Sequence, residues 1–390
     1  MASKPHAEGG RARRGALRLA TACACLVLSA AAVALAADPL PMPASQFGSG
    51  LDFAPAVPGS TGGLESCVTP LPDISVCASP SWHYAVVEVL AMQRDNQSCA
   101  RPLVIDTATN QTALATSDLN PGVALGGRAF YGHYGESGWG WEAGYLGVYG
   151  MTASQTLTGP ETLQLAGPMA SALQIPYGAA DVVVADYTSM INSGEINVFK
   201  SCHQTRGPRC GAGQGGCSID WLGGFRYVNI SERAGLAFTC CTTEPAGPFT
   251  SSYDVETSNN LIGGQFGGRA SRTWRRWAVD GWAKTGVFAN LQSQSQAAIV
   301  DPSNPGLPYR DAHSSNDVAP AMLADLNLSV AYRLTDVFAL RAGYNAIWIG
   351  GVAMAPNQWD FTNSADAGKN LDPTGSIFLN GLSVGLDAAW

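Results

Sequence analysis

The side chains able to do chemistry in this chain are charged residues set singly into apolar, alternating stretches. Glu88, Glu142, Glu195, Asp280, Asp325 and Asp387 recur alongside Arg128, Arg226, Arg269, Lys284, Arg333 and Arg341, and Gln265 occupies the same kind of position. Six acids against six bases is a balanced set. If these groups faced one another across a narrow interior, they would pair and close it, or else form the charged walls of a narrow watery passage. Selectivity for one ion sign calls for a bias that this set lacks.

Other chemistries find little support. His83, His133, His203 and His313 are scattered one to a segment, and neither GxSxG nor HExxH occurs. A hydrolase would rest on nothing local, so no enzymatic activity, cofactor or metal is expected. GGQFGGR at 263–269 has the glycines of a dinucleotide loop but no helix after it, and glycine in a tilted strand relieves crowding instead. Beyond Cys23 and Cys25, eight cysteines remain: Cys67, Cys77, Cys99, Cys202, Cys210, Cys217, Cys240 and Cys241. Their even number in a secreted chain makes them disulfide candidates, with connectivity open.

The elements that must position the charged set are strands. Stretches near 81–92, 122–134, 139–150, 194–203, 219–230, 257–272, 276–292, 321–334, 337–350 and 377–390 show period-two alternation, and helical periodicity is almost absent. The connections alternate in length. GES, RTW and TD are tight, whereas 151–193, 231–256, 293–320 and 351–376 are long. Short turns on one rim and long loops on the other are the pattern of a transmembrane barrel. The Cys-rich run 202–217 falls on the short-turn side and leaves twelve strands as the alternative to ten.

The two faces of these strands differ in kind. In AMLADLNLSVAYRL one face carries Met322, Ala324, Leu326, Leu328, Val330, Tyr332 and Leu334, and the other Asp325, Asn327, Ser329 and Arg333. The terminal ribbon NGLSVGLDAAW repeats the alternation, with Leu382, Val384, Leu386, Ala388 and Trp390 on one side. An apolar exterior of this extent suits lipid, not water. Trp139, Trp141, Tyr145, Trp277, Trp348 and Trp390, with Trp274 and Trp282, then read as a membrane-interface girdle. The competing reading of Trp139, Trp141 and Tyr145 is a carbohydrate platform.

Residues 1–36 combine four arginines with an apolar stretch ending Ala34-Leu35-Ala36, the layout of a signal peptide. Removing it leaves 17 basic against 29 acidic residues, net −12, which disfavours nucleic acid as a partner. Residues 37–80 form a Pro/Gly/Ser-rich segment, and 81–390 the barrel. Charged residues make up only 13% of the chain, about half the usual share, as expected of a large sheet with little solvated surface. After the leader no run of about 18 apolar residues occurs, so a helical membrane span is not expected.

LGGFRYVNISE (222–232), NNLIGGQFG (259–267), RRWAVDGWAKTGVFANLQSQ (275–294) and GYNAIWIGGVAMAPNQ (343–358) resemble signatures of the putative beta-barrel porin-7 family, outer-membrane barrels found mainly in planctomycetes. The resemblance covers roughly 81–390. It implies an all-β, antiparallel up-and-down transmembrane barrel in the bacterial outer membrane, with lipid around it and no catalytic residues to carry over. The C-terminal strand would engage barrel-assembly machinery, and small solutes are possible cargo. A secreted, disulfide-stapled β-sandwich or lectin-like module is the alternative.

Overall fold

The computed structural model describes residues 81–390 except 97–99, 174, 202–215, 243–246, 303–307 and 365. The expected signal peptide and the 37–80 segment lie outside the described residues, as do Cys67, Cys77, Cys99, Cys202 and Cys210.

Ten long strands close into an antiparallel barrel: β1 (Trp82–Asn96), β4 (Val123–Tyr134), β5 (Trp139–Leu165), β6 (Ala180–Ser201), β7 (Gly216–Cys240), β8 (Phe249–Trp274), β9 (Trp277–Gln296), β12 (His313–Arg333), β13 (Phe338–Val352) and β14 (Gly375–Ala389). Each pairs with its neighbours in this order, and β14 pairs with β1. His83 and Trp390 exchange backbone hydrogen bonds of 2.9 and 3.0 Å at the seam. Ring closure excludes the sandwich. It also resolves the strand count at ten, because the short β2 (Pro102–Asp106) and β3 (Gln111–Ala115) form a hairpin added at the end of β5, outside the ring. Two further short strands, β10 (Ile299–Val300) and β11 (Pro308–Arg310), pair with each other.

The tight turns gather on one rim, at 135–138, 275–276 and 334–337, which the 202–215 connection shares, and the other connections lie on the opposite rim. The strands are longer than their alternation suggested. β5 runs on to Leu165 and β6 starts at Ala180, so most of the expected 151–193 loop is paired strand. The 231–256 and 293–320 connections shrink in the same way. Near the turn rim the outer face is apolar: Val87, Val89, Phe225, Phe266, Leu328 and Leu386 are exposed there, Val89 by 63%. On β1 this face runs from His83 to Ala91 before polar Gln93 follows. About nine residues at ~3.3 Å each, tilted by ~40°, span roughly 23 Å, close to the apolar band of a membrane barrel. Beyond it the outer face turns polar, with Asn229, Ser231 and Arg233 on β7 opposite Asn260, Ser258 and Glu256 on β8.

Candidate functional site: the barrel interior

Because side chains alternate across each strand, a polar residue among outward apolar neighbours must point inward. The register then sets acid beside base. Glu88 stands opposite Arg128, Glu195 opposite Arg226, and Asp325 opposite Lys284. Their ion pairs combine such neighbours with partners reached across the lumen from strands that are not neighbours. Arg226 meets Asp325 at 2.8 Å and Glu195 at 3.9 Å, Lys284 meets Glu195 at 2.6 Å and Glu142 at 3.5 Å, and Arg269 pairs with Glu142. Arg341 binds Asp280 and Asp387, each at 2.8 Å. Arg128 pairs with Glu88 and also donates to Asn345 Oδ1 at 2.8 Å. Gln265 donates to Asn197 Oδ1 at 2.7 Å and to Glu195. Nearly all of these groups are buried. Charges withdrawn from water persist only when paired and hydrogen-bonded, and here the partners cross-link opposite walls.

Arg333 is the member of the set placed outside this network. It lines a cavity of about 160 Å³ at the turn rim together with Trp82, Tyr84, Phe130, Arg276 and Trp277. That cavity is also bounded by Glu142, Lys284 and Arg341, so its inner limit is the ion-pair layer itself.

Trp139, Trp141, Tyr145, Trp277 and Trp390 are exposed on the outer face, and Trp348 is half-buried. Trp282 is a correction. Its position shares the inward parity of Asp280 and Lys284; its Nε1 donates to Asp325 Oδ1 at 3.3 Å, and Arg128 lies 4.7 Å from its ring centre. Its place beside a tight turn suggested the girdle, but parity decides which face a strand residue occupies.

Above the ion pairs the interior becomes apolar. Leu90, Met92, Val148, Ile191, Val228, Ile230, Leu323 and Ile349 form a buried layer. Beyond it Arg94 pairs with Glu232 at 2.6 Å, both side chains wholly buried. A second apolar core follows, built from residues including Tyr187, Leu236, Phe238, Tyr253 and Trp359.

The β13–β14 connection folds into this upper part. Gly351, next to last in β13, has a φ of 84° and approaches the Pro320 carbonyl, which leaves no room for a Cβ. The chain then enters the barrel with Met354, Ala355 and Trp359 buried. A row of inward amides holds its backbone. Asn259 Nδ2 donates to Ala353 O at 2.8 Å, Asn290 Nδ2 to Gly351 O at 2.9 Å, and Gln294 and Gln296 each donate to Gly368 O at 2.9 Å. Ala355 N donates to Glu232 Oε2 at 2.9 Å. Burial tends to raise the Asp360 carboxyl, but hydrogen bonds from the Thr362 and Gly368 backbones outweigh it and hold the group below the usual carboxylate range.

Asn259, Asn290, Gln294, Gln296, Arg94 and Glu232 escape a search for charged residues in apolar strands. The signal that finds three of them is the run NLQSQSQ, whose amides continue the inward parity of Asp280 and Lys284.

No two described cysteines are bonded. Cys217 stands at the turn-rim end of β7, and Cys240 and Cys241 at its other end.

A model of the Putative beta barrel porin-7 family matches residues 87–390, and the chain belongs to that family. No curated protein matches the chain. Among solved structures it is similar to the outer membrane protease OmpT from Escherichia coli, with 10% identity, coverage of 82% of this chain and 99% of that one, and a TM-score of 0.41. It is also similar to Ail, the attachment invasion locus protein of Yersinia pestis, with 8% identity, coverage of 80% and 99%, and a TM-score of 0.23. A Pseudomonas aeruginosa FadL homologue has 8% identity, coverage of 80% and 90%, and a TM-score of 0.28. These likenesses concern fold alone and carry no activity over. The family, one of barrel porins, points to the outer membrane.

Proposed function

We propose that the protein is a lumen-closed barrel of the bacterial outer membrane, a structural envelope protein carrying a folded cap, and not an open diffusion pore or an enzyme. One observation carries this reading: the interior is filled in successive layers, first by ion pairs that cross-link opposite walls and then by apolar side chains and an inserted loop. In a ten-stranded barrel the lumen is barely wider than its own side chains, so paired charges are enough to exclude a water column. In this reading the turn rim faces the periplasm, the cap faces outward, and the aromatic residues sit at the lipid interface. Lumen-facing residues such as Arg226 and Lys284 then act as struts, and β14 with its terminal Trp390 is the element offered to assembly machinery.

Conductance of the purified, detergent-folded chain in planar lipid bilayers tests this directly. The expected trace is flat, without the long-lived ohmic steps of a porin. Stable single-channel steps in the unmodified protein would replace this reading with passive solute passage.

A further inference from the structure

The cap end of β7 carries two adjacent cysteines whose sulfurs lie 2.7 Å apart, closer than unbonded sulfurs normally pack. Cys240 is fully buried as the last residue of the strand, whereas Cys241 is partly exposed and takes a φ of 58°, in the left-handed region. The turn is held by other means as well, since Thr242 donates from both its backbone N and its hydroxyl to Asp181 Oδ2 at 2.8 Å. Cys217 is out of reach. It lies at the opposite end of the same strand, roughly 75 Å away along extended chain at ~3.3 Å per residue.

We propose that Cys240 and Cys241 form a thiol modification site that a small-molecule disulfide oxidises to a vicinal disulfide at the end of β7. The Cys241 thiolate, on the accessible side, attacks one sulfur of the reagent RSSR; a mixed disulfide forms and RS⁻ leaves, to be protonated as RSH. Cys240 then loses its proton and attacks the Cys241 sulfur, forming the Cys240–Cys241 bond and expelling the second RSH. The two cysteines lose two electrons and two protons, and RSSR is reduced to two RSH. Adjacent Cα atoms lie ~3.8 Å apart across a trans peptide, below the usual ~4.4–6.8 Å of bridged pairs, so the ring is strained and easily reduced. It constrains almost no chain in the unfolded state and adds little stability. Its effect is to mask two thiols and fix the one peptide unit between them.

The experiment treats the full chain, folded in detergent, with oxidised glutathione, then denatures it, alkylates it with iodoacetamide and maps its peptides by mass spectrometry. The expected peptide spanning Cys240 and Cys241 carries no alkyl group, is lighter than the dithiol by the mass of two hydrogens, and gains two alkyl groups after brief dithiothreitol treatment. Cys240→Ser should retain glutathione on Cys241, and Cys241→Ser should leave Cys240 largely unmodified, with an unchanged gel shift on boiling reporting that each variant folds. The proposal is overturned if both thiols are alkylated after oxidation, if glutathione stays on the native pair, or if the peptide is cross-linked to another, such as one holding Cys99. Equal glutathione uptake by the two serine variants would refute the assigned order of attack.

Discussion

Residues 217–227 and 228–240 of β7 share one strand and one alternation, yet each face reverses its chemistry between them. In the first part Trp221, Phe225 and Tyr227 face outward, and Asp220 and Arg226 inward. In the second, Asn229, Ser231 and Arg233 face outward, and Val228, Ile230, Leu236 and Phe238 inward. The backbone is indifferent to this exchange, because pairing satisfies its N–H and C=O groups in either case. The surroundings set the difference. An apolar outer face is stable against lipid, which leaves polar groups the interior. Beyond the apolar band the outer face is polar, and the interior is an apolar core crossed by the Arg94–Glu232 pair and the inward amides. One barrel therefore obeys two rules of burial along a single axis.

The largest expected effect tests the lower half. Arg226→Ala removes the guanidinium that Asp325 meets at 2.8 Å and leaves Glu195 to Lys284 alone, and losing one partner of a buried pair costs about 3–5 kcal/mol. The temperature at which the compact unboiled gel band disappears should fall sharply, while bilayer conductance stays flat. A conducting variant of unchanged stability would contradict the strut role.

In the upper half, Trp359→Ala removes the largest fully buried side chain and should cost about 3–5 kcal/mol locally. The signature to look for is protease cutting within 353–374 while the compact band persists. If the band is lost at the same temperature, the two halves unfold as one unit and the division between them fails.

The outer face gives an intermediate test. Val89→Arg, on the apolar band, should destabilise by about 2–4 kcal/mol in lipid, whereas Ser231→Arg, above the band, should stay within ~0.5 kcal/mol. Urea unfolding in lipid vesicles compares them, and equal costs would mean that the band does not face lipid.

The smallest effect concerns pH. The folded-state pKa of Asp360 lies below its ordinary value of about 3.9. Its contribution is therefore fully present above that value and is lost as pH falls through the lower, folded one. The protection of backbone amides around 360–368, measured against their intrinsic exchange rates, should be unchanged from pH 7 to 5 and fall below about pH 4 by more than it does in β1.

Much of the lower half was legible from alternation alone. Glu88, Arg128, Arg226 and Lys284 stand singly in apolar strands, where period two leaves them no other face to occupy. The cap was not legible in the same way. Tyr253, Val255, Leu236 and Phe238 alternate just as membrane strands do, but with the opposite side buried, and a one-dimensional pattern does not label which side is inside. The 151–193 stretch reads as a loop because Thr152, Ser154, Thr156 and Thr158 put polar side chains on the exposed face of β5.

By itself, then, the order of residues determined that the chain is a ring of about ten alternating strands with turns on one rim and long connections on the other, because period and turn chemistry are local properties. Which acid meets which base was decided only by closure of the barrel. Arg226 and Asp325 lie 99 positions apart, on strands separated by two others, and nothing short of the closed ring brings them to 2.8 Å. The same holds for the inserted loop, whose partners Asn259, Asn290 and Gln296 come from two other strands. Contacts across a lumen depend on curvature and shear, which the sum of all the strand pairings creates and no single segment encodes.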